Sequence, residues 1–365
     1  MEIEDKGRVL VTGASGYLSG HVIYQLLEKG YSVRGTVRSL ANKKKNDHIF
    51  NIYPSKASKI ELREGDLMNP DCWDEIVKGC EYVCHVASPF PPGTPKNEND
   101  LIIPAVNGTR NVLNACIKNK VKKVVVTSSI VAISSGHLEK NEFSEKDWTI
   151  PEASPPYDKS KCLAEREAWK IYEDNKDKLR LTVINPGFIL GPTFTTENFT
   201  SAEFFVSMFR REFPGVPKIC WDVIDVRDCA LAHVRALEKP ESDGKRYILA
   251  SGPMWMREMG QILQGEFGKY GYRFNADEMR YCTVKIASWC DSRAKFILPY
   301  WDRKLIYDNS ACIKDLDMKF TDKAQTIKEM CYSLIEKKII QEDRVSVSQK
   351  GADKKGKEEE KKDKK

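Results

Sequence analysis

The sequence predicts an α/β fold: a doubly wound parallel sheet followed by a smaller C-terminal α/β lobe. Three observations carry this expectation. Six short runs rich in β-branched residues recur in the first half, over 8–12, 32–37, 60–64, 82–86, 123–128 and 181–185. Helical patterns fall between them, most clearly over 20–29, 72–77, 106–119 and 158–175. A glycine-containing turn, Thr12-Gly13-Ala14-Ser15-Gly16, joins the first run to the first helix. Near-continuous apolar strands alternating with helices indicate a sheet covered on both faces, because each crossover helix packs back onto it.

After Pro186 the alternation breaks down. Residues 191–221 carry Pro, Gly and aromatics, whereas 225–237 and 254–269 have helical patterning and 321–338 forms a last amphipathic stretch. This organisation predicts a dinucleotide-type domain over 1–190, to which 220–237 returns. A second lobe is expected over 191–219 and 238–340, with a disordered lysine-rich tail over 341–365. Between Lys350 and Lys365 eight Lys oppose five Asp or Glu, which accounts for half of the formal +6. The remaining surplus is too small for a nucleic-acid surface, and a charged tail is ordinarily solvated.

The chain has 365 residues, 41% hydrophobic and 31% charged, enough for one large or two joined cores. No apolar run approaches the eighteen or so residues that span a bilayer. The charged start MEIEDKGRVLVTG runs directly into a strand, so no signal peptide is expected. The eleven Cys are scattered without a Cys-x-x-Cys pair, and the five His do not cluster with them. Reduced thiols in a cytoplasmic monomer or homodimer are expected, with neither a disulfide framework nor a metal site. The sequons at Asn107 and Asn198 then carry no chemistry.

The glycine turn gives the first site. Gly13 can take the backbone shape of a tight turn, and Gly16 lets the main chain approach a pyrophosphate at a helix N-terminus. Gly13, Ser15, Gly16, Tyr17 and Leu18 are therefore assigned to a dinucleotide, and the sheet is expected to be of the Rossmann type. The third glycine of the pattern is replaced by Ser19, small enough for close helix–strand packing. At the end of the second strand, an acidic residue would bind a ribose 2′-hydroxyl. Arg38 stands there instead, followed by Lys43, Lys44 and Lys45. A guanidinium offers planar, charge-assisted donors to a 2′-phosphate, so Arg38 and Lys43 predict NADP(H).

The second site opens a helix at Tyr157-Asp-Lys-Ser-Lys161. Residues four apart share a helical face, so Tyr157 and Lys161 can point into one cavity. A phenol with a pKa of about 10 is a poor acid–base group at neutral pH, and a nearby ammonium is expected to lower it. A third group should hold the substrate oxygen. The strand Val124-Val-Val-Thr127-Ser128-Ser129 ends in hydroxyls at the edge where α/β sheets bind ligands. Ser129 is assigned that role, with Ser128 as the alternative.

Together these residues resemble the extended short-chain dehydrogenase/reductase family of the NAD-dependent epimerase/dehydratase superfamily. The closest likeness is to its branch of dihydroflavonol 4-reductases and cinnamoyl-CoA reductases. The marks run in order from about Arg8 to Lys338: VTGASGY, TVRS, GDL at Gly65–Leu67, HVASP at His85–Pro89 and VNGTRNVL at Val106–Leu113. VTSS, YDKSK, NPGFILGP at Asn185–Pro192 and DVRD at Asp225–Asp228 follow. The resemblance implies an NADP-dependent oxidoreductase acting on CH–OH groups, which reduces an aldehyde or ketone of a small, apolar substrate. It implies that Tyr157 is the acid, that Lys161 tunes it and binds the nicotinamide ribose, and that Ser129 orients the carbonyl. Asp66 and Leu67 would lie beside the adenine, Ala87 and Ser88 beside the ribose or phosphates, and Pro186 and Gly187 near the nicotinamide. Asp225 and Arg227 match a family motif, but are read as a helix cap and an ion pair.

Some residues depart from the branch. Ala153-Ser-Pro-Pro precedes Tyr157 in place of the Trp-Tyr-Cys signature of cinnamoyl-CoA reductases. Ser134 stands where plant flavonoid reductases place a longer amide. The lysine-rich crossover over 40–59 receives no role. The later aromatics, Trp221, Trp255, Tyr281, Trp289, Tyr300 and Trp301, are read as core rather than cavity wall. Two other functions compete: a sugar-nucleotide epimerase or dehydratase, against which Arg38 argues, and a non-catalytic NADP-binding scaffold, against which the intact Ser, Tyr and Lys argue.

Overall fold

The computed structural model describes residues 6–88, 95, 97–197 and 199–340. The expected tail over 341–365, Pro89 and the sequon residue Asn198 lie outside them.

Seven parallel strands form the main sheet: β1 (Arg8–Val11), β2 (Ser32–Val37), β3 (Ile60–Glu64), β4 (Tyr82–His85), β5 (Lys123–Thr127), β7 (Leu181–Pro186) and β10 (Lys245–Leu249). The order across the sheet is β10-β7-β5-β4-β1-β2-β3. Helices α1 (Tyr17–Glu28), α2 (Lys43–Phe50), α3 (Trp73–Val77), α4 (Asn99–Lys118), α5 (Val131–Ser134) and α6 (Pro156–Glu173) belong to the same half of the chain. This is the doubly wound Rossmann arrangement expected. Alternation along the strands divides the core. Val9, Val11 and Val125 join one cluster with α1, while Leu10, Val124 and Val126 join the opposite one.

The second lobe has a three-stranded sheet of β8 (Phe188–Leu190), β9 (Cys220–Asp225) and β11 (Pro253–Trp255). A two-residue ribbon pairs β6 (Glu142–Phe143) with β12 (Ile306–Tyr307). The helices α7 (Thr200–Arg210), α9 (Met256–Phe267) and α13 (Lys323–Glu336) bury Phe205, Leu263 and Ile327 in a third cluster. Helix α8 (Val226–Glu238) instead packs on the main sheet through Ala230 and Val234, and α12 (Ser310–Asp315) joins it through Cys312. Two short helices, α10 (Tyr281–Ala287) and α11 (Ser292–Ile297), complete the described chain. Among the described residues, no helix is long and apolar enough to cross a membrane.

Several boundaries differ from the expectation. The segment 238–340 was assigned wholly to the second lobe, yet β10 within it is the edge strand of the main sheet, paired in parallel with β7. Its five residues carry Lys245 and Arg246, which obscure the strand pattern until partners for those charges exist. Helix α4 begins seven residues before the expected 106 and contains Pro104. Burial of Leu101 and Ala105 outweighs the local cost of the proline. The crossover over 40–59 folds as α2 and a 3-10 turn, with Ile49 and Ile52 buried against the α1 side of the sheet.

The two lobes meet at Gly187, the single residue between β7 and β8. A Cβ there would stand 2.3 Å from the backbone oxygen of Asp222. No side chain fits without displacing β9. Gly187→Ala is therefore expected to cost about 1–3 kcal/mol of stability, the range of an overpacked site, measured by urea denaturation; an unchanged midpoint would refute the close approach.

Candidate active site

The strand order reverses between β1 and β4, and such a switch point opens a crevice at the carboxyl ends of a parallel sheet. A continuous cavity of about 2430 Å³ lies there. Its lining runs from the β1–α1 turn past the ends of β4, β5 and β7 to the second lobe.

At the turn, Gly13 holds φ +69°, and a Cβ would approach that of Ala87 to 3.0 Å. The Gly16 amide donates to the Gly13 carbonyl at 2.9 Å, just before α1 begins. Gly13, Ser15, Gly16, Tyr17 and Leu18 all line the cavity, beside the free amides at the positive end of α1. Ser19 is 2% exposed and donates from Oγ to the Thr12 carbonyl at 3.4 Å. The missing third glycine is thus absorbed by a hydroxyl that bonds back to the strand. The Tyr17 phenol is already engaged, donating to the Gly191 carbonyl at 2.7 Å and stacking on Phe199 at 4.1 Å.

Arg38 is exposed at the end of β2, lines the cavity, and has no hydrogen bond or ion pair among the described residues. Lys43 does not line the cavity; Asn42, Lys45 and Asn46 do. Spacings of three and four put those residues on one face of α2, and Lys43 falls off it. Lys45, and not Lys43, therefore faces the cavity. Asp66, Leu67, Ala87, Ser88, Pro186 and Gly187 all contribute to the lining.

Ser129, Tyr157 and Lys161 come together at the same cavity. The two candidate serines have different surroundings. Ser128 is buried and donates from Oγ to Glu165 Oε2 at 2.5 Å. Ser129 accepts a 3.3 Å bond from the Val131 amide, and its hydroxyl proton has no acceptor among the described residues.

Glu165 stands one turn beyond Lys161 on α6 and is 1% exposed. Besides Ser128, Asn185 Nδ2 donates to Oε2 at 2.7 Å and Trp169 Nε1 to Oε1 at 3.2 Å. Arg246 Nε lies 2.7 Å from Oε1, an ion pair not aligned as a hydrogen bond, and its guanidinium stacks 3.8 Å over Trp148. These partners compensate a charge that burial alone would not tolerate.

Burial pushes Lys161 down to about 8, partly opposed by the Glu165 carboxylate. It also pushes the Tyr157 phenol up, and the neighbouring Asp158 carboxylate adds to the rise. The expected lowering of Tyr157 by Lys161 is therefore reversed. Desolvation penalises the charged form of both groups and is the larger cause for each. Tyr157 stands as a neutral phenol at neutral pH, able to give a proton.

The structure also adds a residue that the sequence did not suggest. Asp222 on β9 lines the cavity, is 5% exposed, and has no hydrogen bond or ion pair among the described residues. Burial pushes it up to about 7, against the pull of Lys323 and Lys304. Ser134 lines the cavity and lies 2.6 Å from the Tyr307 hydroxyl. Of the later aromatics, Trp221 and Tyr300 pack against the core of the second lobe and also line the cavity, whereas Trp289 is 82% exposed. Asn107 is outside the lining and accepts from Arg110 at 2.7 Å. Asp225 caps α8, accepting from the Arg227 amide at 2.8 Å and pairing with its guanidinium at 2.7 Å.

Residues 9–250 match the NAD dependent epimerase/dehydratase family. The chain is 34% identical over 273 residues to tetraketide alpha-pyrone reductase 1 of Arabidopsis thaliana, spanning 72% of this chain and 82% of that protein. It is 31% identical over 342 residues to cinnamoyl-CoA reductase CAD2 of Medicago truncatula, spanning 91% and 96%. Among solved structures, yeast methylglyoxal/isovaleraldehyde reductase Gre2 complexed with NADPH aligns with a TM-score of 0.75 at 26% identity. That alignment covers 90% of this chain and 98% of that one.

Removing the Glu165 charge leaves Arg246 buried without a counterion. Glu165→Gln is expected to cost about 3–5 kcal/mol, read from urea denaturation, and to lower the Lys161 pKa further. A loss below about 1 kcal/mol would show that the pair contributes little.

Proposed function

The chain belongs to the NAD dependent epimerase/dehydratase family, with relatives in the dihydroflavonol 4-reductase and cinnamoyl-CoA reductase branch; on that premise, we propose that it reduces an aldehyde or ketone to the alcohol with NADPH. The observation that carries this reading is a single cavity lined both by the Gly13–Leu18 turn and by Ser129, Tyr157 and Lys161.

The residues present fit the cofactor. A Cβ at Gly13 would crowd Ala87, so the turn stays tight, and a pyrophosphate would meet the amides at the N-terminus of α1. Arg38 supplies the guanidinium for a 2′-phosphate, with Lys45 on the cavity side of α2. Asp66 and Leu67 would flank the adenine, Ala87 and Ser88 the ribose and phosphates, and Pro186 and Gly187 the nicotinamide. When bound, the nicotinamide supplies hydride to the carbonyl carbon.

Ser129 donates its hydroxyl to the carbonyl oxygen and holds it in place. Tyr157 gives its proton to that oxygen as negative charge builds there. Lys161 binds the nicotinamide ribose, and its charge stabilises the phenolate left on Tyr157. The neutral state of Tyr157 suits the reductive direction. Phe204, Trp221, Met256, Ile297 and Leu305 in the lining favour an apolar substrate. Asp222 stands close to them in the same lining. The reductases among the relatives support the same chemistry.

Oxidation of NADPH against aldehydes, ketones, steroids and flavonoids, repeated with NADH, tests this reading. Tyr157→Phe is expected to keep cofactor binding and lose about 10²–10⁴-fold in turnover; unchanged turnover would overturn the mechanism. Arg38→Ala is expected to reduce the preference for NADPH over NADH by roughly 10- to 100-fold, the worth of a charge-assisted bond. An initial preference for NADH would remove the argument from Arg38.

A further inference from the structure

Asp158 follows Tyr157 in the first turn of α6 and is 0% exposed, yet among the described residues no Lys or Arg pairs with it. Its carboxylate is held by hydroxyls. Tyr300 Oη lies 2.8 Å from Oδ1 and 2.9 Å from Oδ2, its one proton shared between them, and Ser135 donates a further bond. Tyr300 comes from the other lobe, in the 3-10 turn Leu298–Tyr300, where its ring packs on Trp221 at 5.0 Å. Tyr157 adjoins this carboxylate on its own helix, Ser135 reaches it from the segment after α5, and Tyr300 from the turn. Tyr307 on β12 also feels it, together with Asp222 on β9.

We propose that Asp158, clasped by Tyr300, is a positioning residue that makes Tyr157 a weaker acid when ionised and links that acidity to the seating of the 298–300 turn on the catalytic helix. A carboxylate beside a phenol opposes a second negative charge, so Tyr157 releases its proton only at higher pH. The hydroxyls of Tyr300 and Ser135 favour the anion, whereas burial pushes Asp158 up to about 6. Removing the Tyr300 hydroxyl withdraws one of those donors, raises Asp158 further and leaves it neutral nearer to pH 7. Movement of the turn in the second lobe would have the same effect as that substitution. Occupancy of the substrate side is thereby coupled to the acidity of Tyr157.

The inference rests on Tyr157 being the proton donor. Its test is the pH profile of carbonyl reduction and of the reverse alcohol oxidation, for the full chain and three variants. The unaltered protein is expected to show a step in the reduction rate near pH 6, falling as Asp158 ionises and Tyr157 becomes the weaker acid. Asp158→Asn should abolish the step and move the alkaline limb of both directions down by about one pH unit. Tyr300→Phe, the milder change, should move the step up by about one unit and raise KM. A uniform change in rate across pH for Asp158→Asn, or an unmoved step in Tyr300→Phe, would overturn the proposal. Turnover by Tyr157→Phe would instead overturn the assignment of the proton donor. An inactive Tyr157→Phe with unmoved profiles in the other two variants would reject the role of Asp158 alone.

Discussion

A buried carboxylate on α6 imposes the constraint on which the catalytic end of this molecule depends. Glu165 takes its partners from the end of β5 through Ser128, from β7 through Asn185, from β10 through Arg246, and from its own helix through Trp169. An ionised carboxylate without them would be strongly disfavoured in the interior. The strands that supply these partners lie next to one another in the sheet, so their register and the rotation of α6 are set together. Tyr157 and Lys161, two turns and one turn before Glu165, are thereby carried to the cavity that Ser129, just past the end of β5, also lines. Ser128 serves this scaffold, which leaves the adjacent Ser129 with its proton uncommitted.

The same burial that requires such compensation also controls the chemistry. Tyr157 and Lys161 are each driven toward the neutral form, the phenol upward and the ammonium down to about 8. A simple picture of an ammonium acidifying a phenol belongs to a solvated helix surface. In this cavity, removal of water acts on both groups at once and is the larger effect. Asp158 adds to it from the adjacent position, and its hydroxyl partner Tyr300 belongs to the other lobe. The acidity of the tyrosine is consequently a property of both lobes.

The lobes are joined with little slack. Gly187 alone separates β7 from β8, so the last residues of the main sheet and the first of the smaller sheet keep a fixed relation. The smaller sheet then brings Trp221 and Asp222 to the cavity on successive residues of β9. Alternation along a strand turns such neighbours in opposite directions. Trp221 meets Tyr300, while Asp222 contributes a carboxyl with no ion-pair partner among the described residues to a cavity with several apolar side chains in its lining.

Local pattern was sufficient for much of this protein. The six β-branched runs, the Gly13–Gly16 turn, Arg38 and the four-residue spacing of Tyr157 and Lys161 depend on neighbours in sequence, and each could be placed from the residues alone. Properties that depend on partners distant in sequence were not legible there. The short edge strand carrying Lys245 and Arg246 does not resemble a strand of this sheet until Asp315 and Glu165 receive those charges. Lys43 and Lys45 are equivalent as sequence, and only the rotation of α2 separates them. Trp221 and Tyr300 have the composition of core residues, and became cavity wall because two lobes fold around a shared space. The charge states of Tyr157 and Asp158 were decided last, by the exclusion of water and by a hydroxyl from residue 300. Residue types and spacing determined which groups could do chemistry; burial, which exists only in the folded chain, decided their proton affinities.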